Sequence, residues 1–204
     1  MKKHFLMLSF SIGTIVLLQF SCNSNQPAQQ LTEPVKKEMT SADMLSRGKY
    51  LVTAAGCGDC HSPKLMTPQG PVPDTSKLLS GHPASVALMQ IDKNALKPGN
   101  WILFSPDLTA VVGPWGISFS ANLTPDTATG LGAWAENDFI KTMHTGKHLG
   151  QEGGRALLPP MPWQSFTNFT DEDLKAIFAY LKALPAISNK VPAPVSPDEL
   201  AKTR

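Results

Sequence analysis

Apolar side chains return at intervals near 3.6 residues in three stretches of this chain, and those stretches predict its helices. The first runs over 42–55, where Met44, Leu45, Gly48, Leu51, Val52 and Ala55 share a face and Ser41 is placed to cap the N-terminus. The second is short, 136–145, with Phe139, Ile140 and Met143 on one side and Gly146 at the stop. The third, 171–184, is the strongest. Leu174, Ile177, Phe178, Leu181 and Leu184 form its stripe, Thr170 caps it, acids fill its first turn, and Pro185 follows. Between the first two helices the pattern dissolves. Residues 62–133 are rich in Pro and Gly, with apolar runs at 86–91 and 101–104 and short strands expected near 108–112 and 117–119. No internal repeat is visible.

The N-terminus has a different character. Met1-Lys2-Lys3 precedes an apolar run from Phe5 to Phe20, the basic start and apolar centre of a secretory leader, too short to span a bilayer comfortably. It closes on Leu18-Gln19-Phe20-Ser21-Cys22, where a small residue before cysteine resembles a bacterial lipobox. The expectation is a lipoprotein-type signal over 1–21 with Cys22 as lipid anchor; ordinary cleavage nearby, leaving a free thiol, is the alternative. Residues 22–40 are polar and read as a flexible tether, 41–190 as one domain, and 191–204 as an extended, proline-bearing tail. Loss of Lys2 and Lys3 with the leader brings the basic residues level with the 16 acidic ones, which gives no reason to expect nucleic acid.

One pentapeptide carries the chemistry: Cys57-Gly58-Asp59-Cys60-His61. Two cysteines three apart with histidine next is the attachment sequence for c-type haem. The two thiols add to the two vinyl groups of one porphyrin, and the histidine becomes the proximal iron ligand. A zinc site needs a second Cys/His pair at comparable spacing, and none exists; a thioredoxin-like pair belongs beside a βαβ pattern, which the flanks lack. Cys57 and Cys60 on haem and Cys22 on lipid consume all three cysteines. Export agrees with the haem, because haem c is attached outside the cytoplasmic membrane. Helix, haem motif, loops and terminal helix is the order of a class I cytochrome c. The expected fold is therefore mainly α, a class I cytochrome c-like haem domain with one covalent haem c and a long irregular insertion, 62–121, after the motif.

The other face of the iron decides between electron transfer and ligand chemistry. Met161 lies in Leu157-Leu158-Pro159-Pro160-Met161-Pro162-Trp163, a segment stiffened by proline on both sides, shortly before the terminal helix. It is the preferred distal ligand. His82, His144 and His148 are rivals, His148 the best placed of them. Met44 and Met143 sit on helix faces and read as core, and Met89 lies in an apolar run.

Asn122-Leu123-Thr124-Pro125-Asp126, Thr129-Gly130-Leu131-Gly132-Ala133-Trp134, Thr145-Gly146-Lys147-His148, the Met161 segment and Asp171-Glu172-Asp173-Leu174-Lys175-Ala176 together resemble a bacterial single-haem cytochrome c family. They are similar to the haem domains of cytochrome subunits serving membrane-bound periplasmic alcohol and gluconate dehydrogenases, which carry three haems where this chain has one motif. The resemblance covers about 45–190. It implies a mostly helical haem fold, electron transfer, and Met161 as distal ligand. The 122–134 stretch is either a rigid loop over one haem edge or the source, with Arg155, of a propionate contact through Trp134. The expected function is an exported, lipid-anchored electron carrier on the periplasmic side of a bacterial membrane, cycling Fe(III)/Fe(II) without bond chemistry on a substrate. Its expected partners are redox proteins, a dehydrogenase or a terminal oxidase or reductase. The alternatives are an electron-accepting subunit of a periplasmic dehydrogenase, and a haem enzyme or gas sensor with a labile distal ligand.

Overall fold

The computed structural model describes residues 39–87 and 90–202. The leader, Cys22, Met89 and all but the end of the tether lie outside the described residues. Helix α1 spans Ser41–Ala54. Its cap is Thr40, one residue earlier than the pattern placed it. The Thr40 hydroxyl accepts the Asp43 N–H while the Asp43 carboxylate accepts the Thr40 N–H, each at 3.2 Å. Helix α2, Cys57–His61, is the single turn carrying the haem motif. Helix α3, Glu136–Thr145, ends at Gly146 with φ +66°, as its sequence requires. A short helix α4, Trp163–Phe166, precedes α5, Asp171–Lys182, which is capped by the Thr170 hydroxyl accepting the Asp173 N–H.

The crossing of α1 and α5 is the main helix contact of the domain, and Gly48 permits it. A Cβ there would lie 2.0 Å from the Ala176 carbonyl oxygen and 2.7 Å from the Tyr180 Cβ, so only hydrogen lets the backbones approach. Arg47 spans the same crossing, donating through Nε and an Nη to both oxygens of Asp173 at 2.9 and 3.2 Å. Leu51, Val52, Leu79, Leu131, Phe139, Ile140, Met143, Leu174, Ile177, Phe178 and Leu181 make one buried cluster.

The segment 62–121 is more regular than an irregular insertion. Strands β1 (Lys64–Thr67) and β2 (Gly70–Pro73) form an antiparallel hairpin directly after the haem motif. Strands β3 (Leu103–Phe104), β4 (Ala110–Gly113) and β5 (Gly116–Phe119) form an antiparallel sheet in chain order. Strands β4 and β5 fall close to the strands expected near 108–112 and 117–119. The sheet has its own small cluster, with Ala95, Val112 and Ile117 buried against Ile91, Leu96, Phe119, Val195 and Leu200. That cluster also corrects the tail. It is extended only to Ser196: Val195 bridges Ile117, and helix α6, Pro197–Lys202, then brings Leu200 onto the sheet.

Candidate haem site

Cys57 and Cys60 stand on α2 as free thiols. Cys57 packs against the main buried cluster, and burial pushes its pKa up to about 11; burial raises Cys60 as well, the nearby Lys64 charge opposing it. Among the described residues no group of three His, Cys, Asp or Glu could hold a bare metal ion.

His61 closes the turn. Its Nδ1 lies 2.8 Å from the Ala121 carbonyl oxygen, which can only accept, so Nδ1 carries the proton and Nε2 keeps its lone pair for iron. Burial lowers the His61 pKa, the Ala121 bond opposing it, and the ring is left a neutral ligand. The chain around this contact is stapled. Gly81 N–H donates to His61 O, Leu79 N–H to the Ser62 hydroxyl, and Leu123 N–H to Leu79 O. Lys64 Nζ, at the base of the β1–β2 hairpin, donates to the Asp59, Ser62 and Asp107 carbonyls and fastens the turn to the loop before β4.

Met161 is half-buried and packs on the same apolar cluster as Cys57. Two of the rival histidines are held by side-chain bonds. His144 Nε2 meets Asp171 at 2.9 Å. His82 is 2% exposed, its Nδ1 donates to the Thr109 hydroxyl at 2.7 Å, and that hydroxyl donates to the Asp107 carboxylate at 2.7 Å. Met143 is buried in the core on α3. His148 is exposed in a 3-10 turn, edge-on to Trp134 with ring centroids 5.2 Å apart. Its backbone N–H donates to Arg155 O, so Trp134, His148 and Arg155 come together at one place, Trp134 resting on the core and Arg155 exposed.

The 122–134 loop is tightly built. Asn122 Oδ1 accepts the Thr124 N–H and hydroxyl, and its Nδ2 donates to Thr129 Oγ1 and to Ile187 O. Sequence reasoning missed Ala121 as the partner of His61, and also missed Ser118, whose hydroxyl donates to Pro159 O at 2.6 Å. Nothing in composition or periodicity marks either. The donor set fits a haem c: two thiols on one turn, an imidazole with Nε2 free, and a thioether on the same apolar cluster.

The cytochrome c family model matches residues 45–185, and the chain belongs to that family, whose members bind haem c covalently and transfer electrons. The fold and site define the class; three relatives narrow the resemblance. The chain is 29% identical over 153 residues to a subunit of the nicotinate dehydrogenase of Pseudomonas putida, covering 75% of this chain and 10% of that protein. It is 30% identical over 137 residues to the gluconate 2-dehydrogenase cytochrome c subunit of Pantoea cypripedii, covering 67% and 22%. It is 27% identical over 179 residues to the fructose dehydrogenase cytochrome subunit of Gluconobacter japonicus, covering 88% and 28%. The chain thus spans less than a third of each relative's length. The likeness to dehydrogenase cytochrome subunits expected from the Asn122, Met161 and Asp171 motifs is borne out.

Proposed function

We propose that this protein is a single-haem electron carrier, exported and held on the periplasmic side of a bacterial membrane by a lipid on Cys22. In this reading it accepts electrons from a dehydrogenase and passes them to a terminal oxidase or reductase. Cys57 and Cys60 would hold the haem, His61 and Met161 would ligate its iron, and Trp134 and Arg155 would donate to its propionates. The observation that carries this reading is the His61–Ala121 bond, which leaves Nε2 free on the turn that also holds both thiols, with Met161 on the same apolar cluster as Cys57. A haem c ligated by histidine and methionine supplies a one-electron Fe(III)/Fe(II) couple. A haem held by both His61 and Met161 would keep no open face for substrate, and the chain's own work would be to hold those two side chains still.

The experiment is visible spectroscopy of the purified, haem-loaded protein and of Met161→Ala. The wild type is expected to show a low-spin spectrum with a thioether-to-iron band near the red end. Met161→Ala is expected to become partly high-spin when ferric and to admit carbon monoxide when ferrous. A wild type that itself binds carbon monoxide readily overturns the carrier in favour of a haem enzyme or gas sensor. The names of the relatives favour a second reading, in which the chain works only as the electron-accepting subunit of a dehydrogenase complex. Stoichiometric co-purification with a dehydrogenase from solubilised membranes distinguishes that subunit from a free carrier.

A further inference from the structure

We propose that Ser118, in β5, is a positioning residue for Met161, holding the distal segment closed by a single buried hydroxyl. The proposal rests on Met161 being the distal ligand. It follows from which backbone groups that segment possesses. In Pro159-Pro160-Met161-Pro162 three of four residues have no N–H, and the Met161 N–H is used within the segment, on Leu158 O at 3.3 Å. The segment therefore offers the rest of the protein carbonyls alone, so a hydrogen bond that ties it to the sheet takes its donor from outside. Ser118 supplies it: the residue is 8% exposed, and its Oγ lies 2.6 Å from Pro159 O, two residues before Met161. Among the described residues no other side-chain hydrogen bond reaches 158–162.

Trp115 sets the direction of that donation. Its indole Nε1–H, which can only donate, lies 3.2 Å from Ser118 Oγ. The serine oxygen must accept there, and its one proton is left for a carbonyl. Of the two carbonyls in reach, Pro159 at 2.6 Å is the closer and Val111 at 3.4 Å the secondary contact. Three residues beyond Ser118 the same chain direction reaches Ala121, whose carbonyl holds His61. One short run of backbone, 118–121, thus touches the supports of both proposed axial ligands.

The consequence is a latch with a measurable strength. Added imidazole binds the ferric protein only when Met161 has left, so its apparent affinity scales with the fraction of distal segment that is open. Removing the hydroxyl that ties Pro159 O to β5 shifts such an equilibrium about five- to tenfold. In the full-length haem-loaded protein, Ser118→Ala is expected to bind imidazole about five- to tenfold more tightly. Ser118→Thr, which keeps a hydroxyl, is expected to restore most of the wild-type affinity, and Trp115→Phe to give a smaller increase. Amide exchange at Leu157 and Met161 should quicken in Ser118→Ala. Val112→Ala, which thins the neighbouring cluster without touching the hydroxyl, should lower stability and leave imidazole affinity as it was. An unchanged affinity in Ser118→Ala overturns the proposal; if that variant does not load haem, an unchanged affinity in Trp115→Phe does so. Met161→Ala keeps the two readings apart. If it retains the wild-type low-spin spectrum and imidazole affinity, the ligand assignment is wrong; if it loses them while Ser118→Ala stays like wild type, only the latch is wrong.

Discussion

Gly48→Ala tests whether the crossing of α1 and α5 is set by backbone contact. In an isolated helix this change stabilises, because alanine is favoured over glycine by about 1 kcal/mol. Here the new Cβ would sit 2.0 Å from Ala176 O, 2.7 Å from Ala176 C and 2.7 Å from Tyr180 Cβ. Two of those atoms are backbone, so no rotamer change relieves them. A carbon-to-oxygen contact needs about 3.3 Å, so the helices must part by about 1.3 Å, loosening the packing of Leu51 and Val52 against Leu174 and Phe178. Overpacking of this kind costs about 3 kcal/mol at its upper range, which leaves a net loss of about 2 kcal/mol after the propensity gain. For a domain of this size that lowers the melting temperature by about 4–8 °C. The assay is thermal and denaturant unfolding of the haem-loaded protein. Gly153→Ala is the control: nothing lies within 4 Å of a Cβ there and its φ is ordinary, so it should be neutral or slightly stabilising. A Gly48→Ala protein as stable as wild type would falsify the close-contact account, because the propensity gain would then be unopposed.

Leu174→Ala removes a side chain that is 0% exposed at the centre of the main cluster, and denaturant titration should show a loss of about 3–4 kcal/mol; a loss below about 1 kcal/mol sinks the assignment of that cluster as the core. Thr170→Ala deletes the α5 cap and should cost about 1 kcal/mol by the same titration. Burial raises the Asp107 carboxyl, but donation from Ser105 and from the Thr109 hydroxyl and N–H outweighs it, and the folded pKa lies below the ordinary carboxylate value. A depressed folded pKa stabilises above the unfolded value of about 3.9 and is lost as pH falls below it, so Asp107→Asn should be less stable at pH 7 yet show a shallower decline in acid. A parallel pair of stability-versus-pH curves would remove Asp107 from that account. Cys22→Ala should release a soluble cytochrome with an unchanged spectrum from the membrane fraction, and a wild type already soluble and beginning downstream of Cys22 discards the lipid anchor.

What the chain determined by itself is local. Three amphipathic stripes placed α1, α3 and α5 within two residues of their ends, because an apolar face every 3.6 residues needs only neighbours in sequence to be recognised. The Cys57-to-His61 spacing placed both thiols and the imidazole on one turn for the same reason. The tertiary structure decided the contacts that turn those elements into a site. His61 gains its tautomer from a carbonyl 60 residues away, and Ser118 meets Pro159 across 41 residues. Any residue offers a carbonyl, so no side-chain pattern announces which one will accept. The strands of 62–121 are two to four residues long among prolines and glycines, too short to show a period of two, and their pairing was settled by the ladder and by the small cluster beneath it. The tail follows the same logic: Val195 and Leu200 are unremarkable in sequence, and only the apolar face of β5 gives them somewhere to bury.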